Sequence, residues 1–253
     1  MTSRPIALVT GSSRGIGADI AIALARDGFS LAVNYVRDAD AAARVVNSIR
    51  ESGGMAEAFQ ADIADAAQAA GLVAAVVANL GGLHCLVNNA GVYAGGALEE
   101  SDPALVERLF ATNVFGPIAL TRAAIPHLAA SAASGPAGVA SVINITSVAA
   151  RAEWTGGSVY CASKAAAEAL TRCHAAELGP KGIRVNAVAP GVTETDINRA
   201  GLTPEFRAKV SASTALGRVG SVGDIAPLVV FLASSRAAWI TGQVIDVDGG
   251  YRA

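Results

Sequence analysis

A phenol and an ammonium four residues apart are the clearest chemical signal in this sequence. Tyr160 and Lys164 open a stretch of helical character, where residues i and i+4 share one face. A nearby cation stabilises a phenolate, so the pair could give or take a proton. Ser147, after an apolar run, adds a hydroxyl that could bond a substrate oxygen. The three groups suit proton transfer to a carbonyl or from an alcohol. Such a spacing is common, so the Tyr–Lys pair taken alone is better interpreted as an incidental surface pair.

The elements that must position these groups alternate between short apolar runs and longer helical patterns. We predict strands over residues 6–10, 30–35, 56–61, 83–88, 139–146, 183–189 and 243–247. We predict helices from residue 16 towards the glycine at 28, and over 39–52, 65–80, 103–128 with a bend at Pro117, 159–178, 203–213 and 222–233. This alternation predicts an α/β fold with a doubly wound parallel sheet. Because composition nowhere breaks, we expect a single domain over residues 1–253.

Two stretches have an irregular pattern. Residues 130–140 form a linker of small residues, and residues 191–215 are long and polar. The second stretch follows a predicted strand, and open α/β sheets bind ligands beyond the carboxyl ends of their strands. Residues 191–215 are therefore our candidate substrate lid.

Composition excludes several classes of function. Of the 253 residues, 52% are hydrophobic and 16% charged, which predicts a sizeable core. The net charge of −2 and the lack of a basic block argue against nucleic acid as a partner. The three cysteines include no CxxC pair and the three histidines are scattered, so we expect neither a disulfide framework nor a metal site. No signal-peptide or membrane-spanning pattern is evident, so we expect a cytoplasmic protein.

A glycine-rich turn joins the first predicted strand to the first helix. Gly11, Gly15 and Gly17 give the spacing G-x-x-x-G-x-G, with Ser13 and Arg14 between them. Glycines at such a turn let the backbone approach a pyrophosphate at the helix N-terminus, and Ile16 opens that helix. The alternative interpretation is a tight turn without a ligand.

The end of the second strand should meet the adenosine ribose. An acidic residue there would favour NAD, but this segment reads Asn34-Tyr35-Val36-Arg37. The cations Arg14 and Arg37 fit a 2′-phosphate better, which favours NADP(H) with NAD(H) still possible. Arg37 could instead be a solvated surface charge. After the third strand, Asp62 could accept a hydrogen bond from adenine or cap the following helix, and Ile63 lies beside it.

With Asn88-Asn89-Ala90-Gly91, Asn113, Pro190-Gly191 and Asp248-Gly249-Gly250 in order along the chain, the sequence resembles the short-chain dehydrogenase/reductase family. The resemblance covers essentially the whole chain. It implies one Rossmann-like domain of about seven parallel strands, usually in a homotetramer, that transfers a hydride between a nicotinamide cofactor and a carbonyl or alcohol.

The resemblance also implies roles for individual residues. Tyr160 would be the general acid or base, Lys164 would lower its pKa and bond the nicotinamide ribose, Ser147 would position the substrate oxygen, and Asn113 would hold a water of a proton relay. Further positions that match cofactor contacts are Gly11, Arg14, Ile16, Asp62, Asn89, Ala90, Gly91, Pro190, Gly191, Thr193 and Thr195.

Within the family the chain looks most like 3-oxoacyl-(acyl-carrier-protein) reductases and related carbonyl reductases. Residues 127–141 contain no lysine or arginine to dock an acidic carrier protein, although Lys181 matches a second basic position. Gly157 stands where those enzymes often have a glutamine. Both departures favour a small ketone or alcohol over a carrier-bound substrate. Trp154 and Val192 are candidates to line the pocket with Ser147 and Tyr160, whereas Arg151 and Glu153 are expected to be solvated loop charges.

Two rival classes remain. A nucleotide sensor on the same fold would usually lack the tyrosine or the lysine, and this chain has both. An epimerase or dehydratase acting on a nucleotide sugar would need a larger substrate domain after the last strand, where only five residues follow Asp248.

Overall fold

One seven-stranded sheet organises the molecule in the computed structural model, which describes residues 4–134, 140–195 and 198–252. The strands are β1 Ile6–Val9, β2 Ser30–Tyr35, β3 Met55–Gln60, β4 Cys85–Asn88, β5 Ser141–Ile145, β6 Arg184–Pro190 and β7 Val244–Val247. They lie in the order β3-β2-β1-β4-β5-β6-β7, and every pair is parallel. The Rossmann-like, doubly wound sheet expected from the sequence is confirmed.

The helices connect the strands and cover the sheet on both faces. They are α1 Gly15–Arg26, α2 Ala39–Glu51, α3 Ala66–Leu80, α4 Pro103–Phe110, α5 Gly116–Ser134, α6 Ser158–Leu178, α7 Pro204–Ser213 and α8 Val222–Ala233. Asp38, Asp65, Asp102 and Thr203 cap α2, α3, α4 and α7 by accepting backbone N–H groups. No helix in the described parts of the chain is both long enough and apolar enough to cross a membrane.

Two apolar cores lie on opposite faces of the sheet because side chains alternate along each strand. From β1, Val9 packs with α1, α2 and α8, whereas Leu8 packs with α3, α5 and α6. Both side chains are fully buried, and burial of a side chain of this size stabilises the fold by roughly 1.5–3 kcal/mol. The cores fix the strands, and the strands fix the loops at their carboxyl ends.

The predicted helical stretch over residues 103–128 is helical in the structure, but it is divided where the sequence indicated only a bend. A π-helical turn, Ala111–Phe115, separates α4 from α5, and Gly116 N–H donates to Ala111 O across five residues. Pro117, which has no N–H to donate, lies at the second position of α5, directly after this turn. The turn places Asn113 in the interior.

The predicted irregular linker over residues 130–140 is wrong in its first half. α5 continues through Ser134 because alanine-rich sequence favours helix. Residues 135–139 lie outside the described residues.

Candidate active site

The candidate site lies where the winding of the sheet reverses. β1 pairs with β2 on one side and β4 on the other, so the loops after β1 and β4 open a crevice at their carboxyl ends. A Cβ placed on Gly91, after β4, would lie 3.4 Å from Lys164 Nζ and 3.3 Å from Asn113 Oδ1. Ser147 follows β5, and its hydroxyl lies near enough to the Tyr160 phenol to influence the pKa of that phenol. The structure thus brings the four expected catalytic residues together.

The Tyr160 phenol is held in its protonated form. Burial raises the pKa of Tyr160, and the hydrogen bond with the Ser147 hydroxyl opposes that shift. Lys164 Nζ lies 5.9 Å from the centroid of the Tyr160 ring. Desolvation outweighs the stabilisation of the phenolate that the sequence suggested, so in the protein alone the net shift in pKa is upward. A protonated phenol is a proton donor.

Lys164 is buried near the phenol. Only 7% of the residue is exposed, and its Nζ donates to Ile145 O at 3.0 Å. Burial lowers the pKa of Lys164 to about 8. An ammonium with such a pKa can exchange a proton near neutral pH.

Asn113 ties together the three segments that carry the site. Its Oδ1 accepts from Val92 N at 2.9 Å, and its Nδ2 donates to Val92 O and to Ser163 Oγ, each at 3.0 Å. The amide is therefore committed to the loop after β4 and to α6. Its place in the π-helical turn is what aims it at both partners.

An aromatic wall stands beside the phenol. Tyr93 and Trp154 stack with ring centroids 5.6 Å apart, and each meets Tyr160 edge-on, at 5.1 Å and 6.4 Å. Trp154 was expected at the pocket, but Tyr93 was missed. The available signal was position, since Tyr93 lies two residues beyond Gly91 in the loop after β4.

The glycine-rich turn after β1 has the backbone that its sequence implies. Gly11 and Gly15 have φ of +61° and +58°, a conformation that residues with a Cβ rarely adopt. A Cβ on Gly17 would lie 2.4 Å from Asn89 Nδ2 and 2.6 Å from Gly11 O. Only glycine permits this close approach of the helix to the turn.

Asn34 and Asn89, two expected cofactor contacts, hydrogen-bond the backbone of the glycine-rich turn. Asn34 is buried, its Oδ1 accepts from Gly11 N at 3.1 Å, and its Nδ2 donates to Phe59 O and Ala61 O. Asn89 Nδ2 donates to Thr10 O at 2.8 Å and Gly11 O at 3.2 Å. Their amides are occupied by backbone, so both residues position the turn.

The turn fits the pyrophosphate of a dinucleotide. Arg14 is the N-cap of α1 and makes no side-chain cap, nor does another described side chain cap this helix end. The first N–H groups of α1 and its positive dipole end therefore face an anion site. Ser13, Arg14, Asp38 and Arg44 line the adjoining groove between α1 and α2. Arg14 and Arg37 are exposed, and Arg44 is a third cation that sequence reasoning missed.

Asp62 and Ile63, in the loop after β3, differ in what they offer to a ligand. Asp62 Oδ1 accepts from Ala64 N at 3.0 Å. Asp65, not Asp62, is the N-cap of α3. Ile63 is 2% exposed and packs in the core on the α3 and α5 side, so only its backbone could reach a cofactor.

The loop after β6 approaches the glycine-rich turn. Gly191 N donates to Val247 O, and a Cβ on Gly191 would lie 2.8 Å from Asp248 Cα. The Cβ and Cγ2 of Thr195 are 3.8 Å from the position of a Cβ on Gly15. Buried Thr193 and half-buried Val192 lie in this loop after Pro190. The loop thus approaches the end of the crevice that the glycine turn forms.

Arg151 is an exposed loop residue, as expected, but its charge is paired. Its guanidinium pairs with both carboxylate oxygens of Asp246 on β7, and its Nε lies 3.3 Å from Glu168 Oε1 on α6. Burial raises the pKa of Glu168, and the arginine opposes that shift. Arg151 therefore fastens the segment after Ser147 to α6 and to β7.

No group of three or more His, Cys, Asp or Glu side chains in the described ranges is arranged to hold a metal ion. The polar groups of the crevice are instead a phenol, an ammonium, hydroxyls and amides, beside a turn of backbone N–H groups. That set suits an organic cofactor and an oxygen-bearing substrate.

Comparison with known proteins identifies the class. A family model described as enoyl-(acyl carrier protein) reductase matches residues 11–252. The chain belongs to the short-chain dehydrogenase/reductase family, whose members are nucleotide-dependent oxidoreductases acting on CH–OH or carbonyl groups.

Two similar proteins span nearly the whole chain. The chain is 45% identical to an uncharacterized oxidoreductase of Methylorubrum extorquens, covering 98% of this chain and 97% of that protein. It is 38% identical to the 3-oxoacyl-(acyl-carrier-protein) reductase FabG of Staphylococcus aureus, covering 96% of each.

Two similar solved structures contain nicotinamide cofactors. A blue fluorescent protein from a metagenomic library in complex with NADPH has 39% identity and a TM-score of 0.89, over 98% of each chain. A 7α-hydroxysteroid dehydrogenase complexed with NADH and 7-oxo glycochenodeoxycholic acid has 36% identity and a TM-score of 0.92, covering 98% of this chain and 94% of that one.

Proposed function

We propose that this protein is an NADP(H)-dependent carbonyl reductase that reduces a small ketone, or oxidises the corresponding secondary alcohol. The observation that carries the proposal is the buried Tyr160 phenol, with the Ser147 hydroxyl near it and Lys164 Nζ 5.9 Å from its ring centroid, in a crevice that also contains a glycine-rich turn suited to phosphate. No simpler role accounts for a phenol, a hydroxyl and a desolvated ammonium held together at this edge of the sheet.

The chain's own residues supply the proton and the orientation. The Ser147 hydroxyl and the Tyr160 phenol both bond the substrate oxygen, and Tyr160 gives it a proton as negative charge develops there. Lys164 stabilises the resulting phenolate across 5.9 Å from the ring centroid. Tyr93 and Trp154 exclude water from one side. When bound, the nicotinamide cofactor supplies or accepts the hydride.

The proposed cofactor-binding residues form two groups, one at the glycine-rich turn and one at the protein surface. The backbone of Gly11 to Gly17 holds the pyrophosphate, with Asn34 and Asn89 bracing it from behind. Arg14 and Arg37 pair with a 2′-phosphate at the surface, which is why we propose NADP(H). Of the similar structures, one contains NADPH and another NADH, so they do not distinguish the two cofactors. The proposal of NADP(H) therefore rests on the two arginines.

Residues 191–215 are proposed as the substrate lid. Glu194 pairs with Arg199 at 3.1 Å and with Arg207 at 2.9 Å, so one carboxylate links the loop after β6 to α7. Phe206 on α7 is 39% exposed. The described part of this segment therefore offers an exposed apolar side chain next to an ion-paired carboxylate.

A second candidate function is reduction of 3-oxoacyl groups on a carrier protein. It is favoured by the 38% identity to FabG over nearly the full length. The small-ketone interpretation is favoured by the pocket edge, where Trp154 covers Gly157. A Cβ on Gly157 would lie 3.3 Å from the Trp154 ring.

Replacing the phenol tests the mechanism. Tyr160→Phe should lower kcat by at least ~100-fold, the scale of a general acid, and leave the Kd for NADPH within about twofold because the phosphate turn is untouched. Tyr251→Phe removes a phenol outside the site and should behave as wild type. Near wild-type turnover by Tyr160→Phe would exclude the mechanism.

An activity panel tests the substrate. Acetoacetyl thioesters, small ketones and 7-oxo steroids should be compared with NADPH and NADH. We expect the highest kcat/KM with a small ketone and NADPH. A clear preference for the carrier-linked thioester would support the second candidate. Tight cofactor binding without turnover of any carbonyl would instead indicate a nucleotide sensor.

A further inference from the structure

The turn that carries Ser147 ends at Arg151. Ser147 is the N-cap of a 3₁₀ turn, Val148–Ala150, and Arg151 is its C-cap. Ser147 Oγ accepts from Ala149 N at 3.1 Å. Arg151 N donates to Val148 O, also at 3.1 Å. Because these short-range bonds close the turn, a contact that fixes the Arg151 side chain also fixes the backbone that carries the Ser147 hydroxyl.

The guanidinium of Arg151 pairs with a buried carboxylate. Glu168 is buried, and its Oε1 lies 3.3 Å from Arg151 Nε. Burial raises the pKa of Glu168, and Arg151 opposes that shift more strongly than Arg172 does. The Arg151 side chain is half-exposed, but a buried carboxylate that loses its cation is strongly destabilised. Arg151 therefore cannot exchange this partner for water without a cost.

Glu168 lies on the helix that carries the phenol and the ammonium. Tyr160, Lys164 and Glu168 follow one another in α6 at intervals of four residues, so each is next to the following one on the helix surface. Glu168 is thus one helical turn beyond Lys164. The ion pair between Arg151 and Glu168 therefore links the turn of Ser147 directly to the catalytic part of α6.

Asp246 on β7 gives the same guanidinium a second anchor. Arg151 pairs with both carboxylate oxygens of Asp246, and its Nη1 lies 3.1 Å from Oδ2. Asp246 is in register with Ala189 of β6. Directly beyond this position, Gly191 N donates to Val247 O. Arg151 therefore joins three segments, which are the turn after β5, the helix α6 and the paired ends of β6 and β7.

We propose that Arg151 is a positioning residue, whose two ion pairs set the Ser147 hydroxyl against the Tyr160 phenol. The inference rests on the proposed function, because it needs Ser147 to bind the substrate oxygen. The guanidinium is committed to two carboxylates, so Arg151 acts on turnover through the turn of Ser147. Two hydrogen bonds to one substrate oxygen demand accurate geometry, and a displacement of ~1 Å can lower a rate by about 100-fold.

A double-mutant cycle with Ser147 tests this coupling. Arg151→Met removes the charge and keeps a long side chain, and we expect it to lower kcat by about tenfold to 100-fold. The Kd for NADPH should stay within about twofold, because the phosphate turn is untouched. In a Ser147→Ala background, which has no hydroxyl to position, the same change should lower kcat by less than about twofold.

Arg50→Met is the matched control for this cycle. It removes a guanidinium that donates to Ala56 O on β3, at the opposite edge of the sheet from β7. We expect its kcat to equal that of the wild type. A loss of kcat as large as that of Arg151→Met would mean that any such change slows the enzyme, and it would overturn the proposal.

A second variant separates positioning from support of the fold. Arg151→Met leaves the Glu168 carboxylate without its cation, whereas Arg151→Met combined with Glu168→Gln removes both charges. The melting temperature of the combined variant should be the higher of the two, but its kcat should stay low because the link to the turn is still missing.

Three further outcomes would overturn the proposal. They are an unchanged kcat in Arg151→Met, an equal loss of kcat in the wild-type and Ser147→Ala backgrounds, and a kcat that recovers together with the melting temperature in the combined variant. The last two would mean that Arg151 only supports the fold. In each case an inactive Tyr160→Phe would leave the proposed function standing, whereas an active one would refute the function itself.

Discussion

The interior of the site and its rim are built in different ways. Lys164 and Asn113 are 7% and 3% exposed, and hydrogen bonds to backbone hold both. At the rim, Trp154 and Tyr93 are 46% and 55% exposed and are held by ring contacts. Buried polar groups must keep their partners, whereas exposed ones can exchange theirs for water.

The difference separates the reaction from the choice of ligand. A change in the interior removes a group that water cannot replace, so it should affect turnover or folding. A change at the rim alters an interaction that competes with solvent, so it should affect KM or cofactor preference. The comparison fails if variants at the rim abolish turnover, or if variants in the interior change neither turnover nor stability.

Lys164→Met should lower turnover more than the other variants considered below, and it should make the folded protein more stable. We expect kcat to fall by at least ~100-fold. The shift in the pKa of Lys164 from 10.5 to about 8 corresponds to a burial cost of ~3 kcal/mol at neutral pH. Loss of the hydrogen bond from Lys164 Nζ to Ile145 O destabilises the variant by ~1 kcal/mol. The variant should thus be more stable by about 2 kcal/mol in urea unfolding at pH 7.

The pH dependence follows from the same shift. Between the folded pKa of about 8 and the unfolded value of 10.5, the unfolded chain binds more protons. Wild-type stability should therefore rise with pH across this window, and Lys164→Met should lack that rise. Lys181→Met, at an exposed lysine, should retain it. A less stable Lys164→Met at pH 7 would contradict the assignment of the burial cost.

Asn113→Ala should reduce both turnover and stability. The change leaves Val92 N–H, Val92 O and Ser163 Oγ without their partner. Val92 is half-buried and Ser163 Oγ keeps its bond to Tyr160 O, so each loss lies at the low end of the usual ~1–3 kcal/mol for an unpaired buried group, and we expect the free energy of unfolding to fall by roughly 2 kcal/mol. Asn79→Ala removes an exposed hydrogen bond from the Asn79 side-chain amide to the Glu57 carboxylate. It should lower the free energy of unfolding by less than ~0.5 kcal/mol. Equal stability of the two variants would show that the Asn113 bonds do not hold the site.

The sequence predicts the parts of this molecule that depend on local patterns. Strand and helix periodicity gave the alternation of elements and the fold class, and the i,i+4 rule put Tyr160 and Lys164 on one helix face. The glycine spacing gave the turn after β1, because positive φ and close approach demand glycine there. These inferences need no knowledge of distant contacts.

What the sequence could not predict depends on partners far along the chain. The π-helical turn places Asn113 against Val92 and Ser163, which are 21 and 50 residues away. The supporting role of Asn34 appears only when its amide meets Gly11 and Ala61. Arg151 reads as a surface charge until Asp246, 95 residues later, comes beside it.

Arg14 and Arg37 test the rim where the nucleotide binds. Replacing both with alanine should lower the preference for NADPH over NADH by about tenfold to 100-fold, since removing one arginine–phosphate hydrogen bond weakens affinity by about tenfold. kcat with saturating cofactor should change little. Arg26→Ala removes the same charge from the far end of α1 and should leave the preference unchanged. The measurement is kcat/KM for each cofactor, and an unaltered ratio in the double variant would refute the proposed 2′-phosphate site.

Trp154→Ala should have the smallest effect and the most selective one. The variant loses the stacking with Tyr93 and the edge contact with Tyr160, and such aromatic pairs are each worth about 0.5–1.5 kcal/mol. We therefore expect KM for the ketone to rise by about three- to tenfold, with kcat and the Kd for NADPH nearly unchanged.

Trp239→Ala is the matched control for this variant. Trp239 is 99% exposed and precedes β7, at the amino end of that strand, whereas the site lies at the carboxyl edge of the sheet. A fall in kcat for Trp154→Ala comparable to that of Tyr160→Phe would mean that the wall holds the phenol in place. Trp154 would then act on turnover in the same way as the interior residues. The distinction between interior residues that set turnover and rim residues that set ligand binding would fail on this side of the crevice.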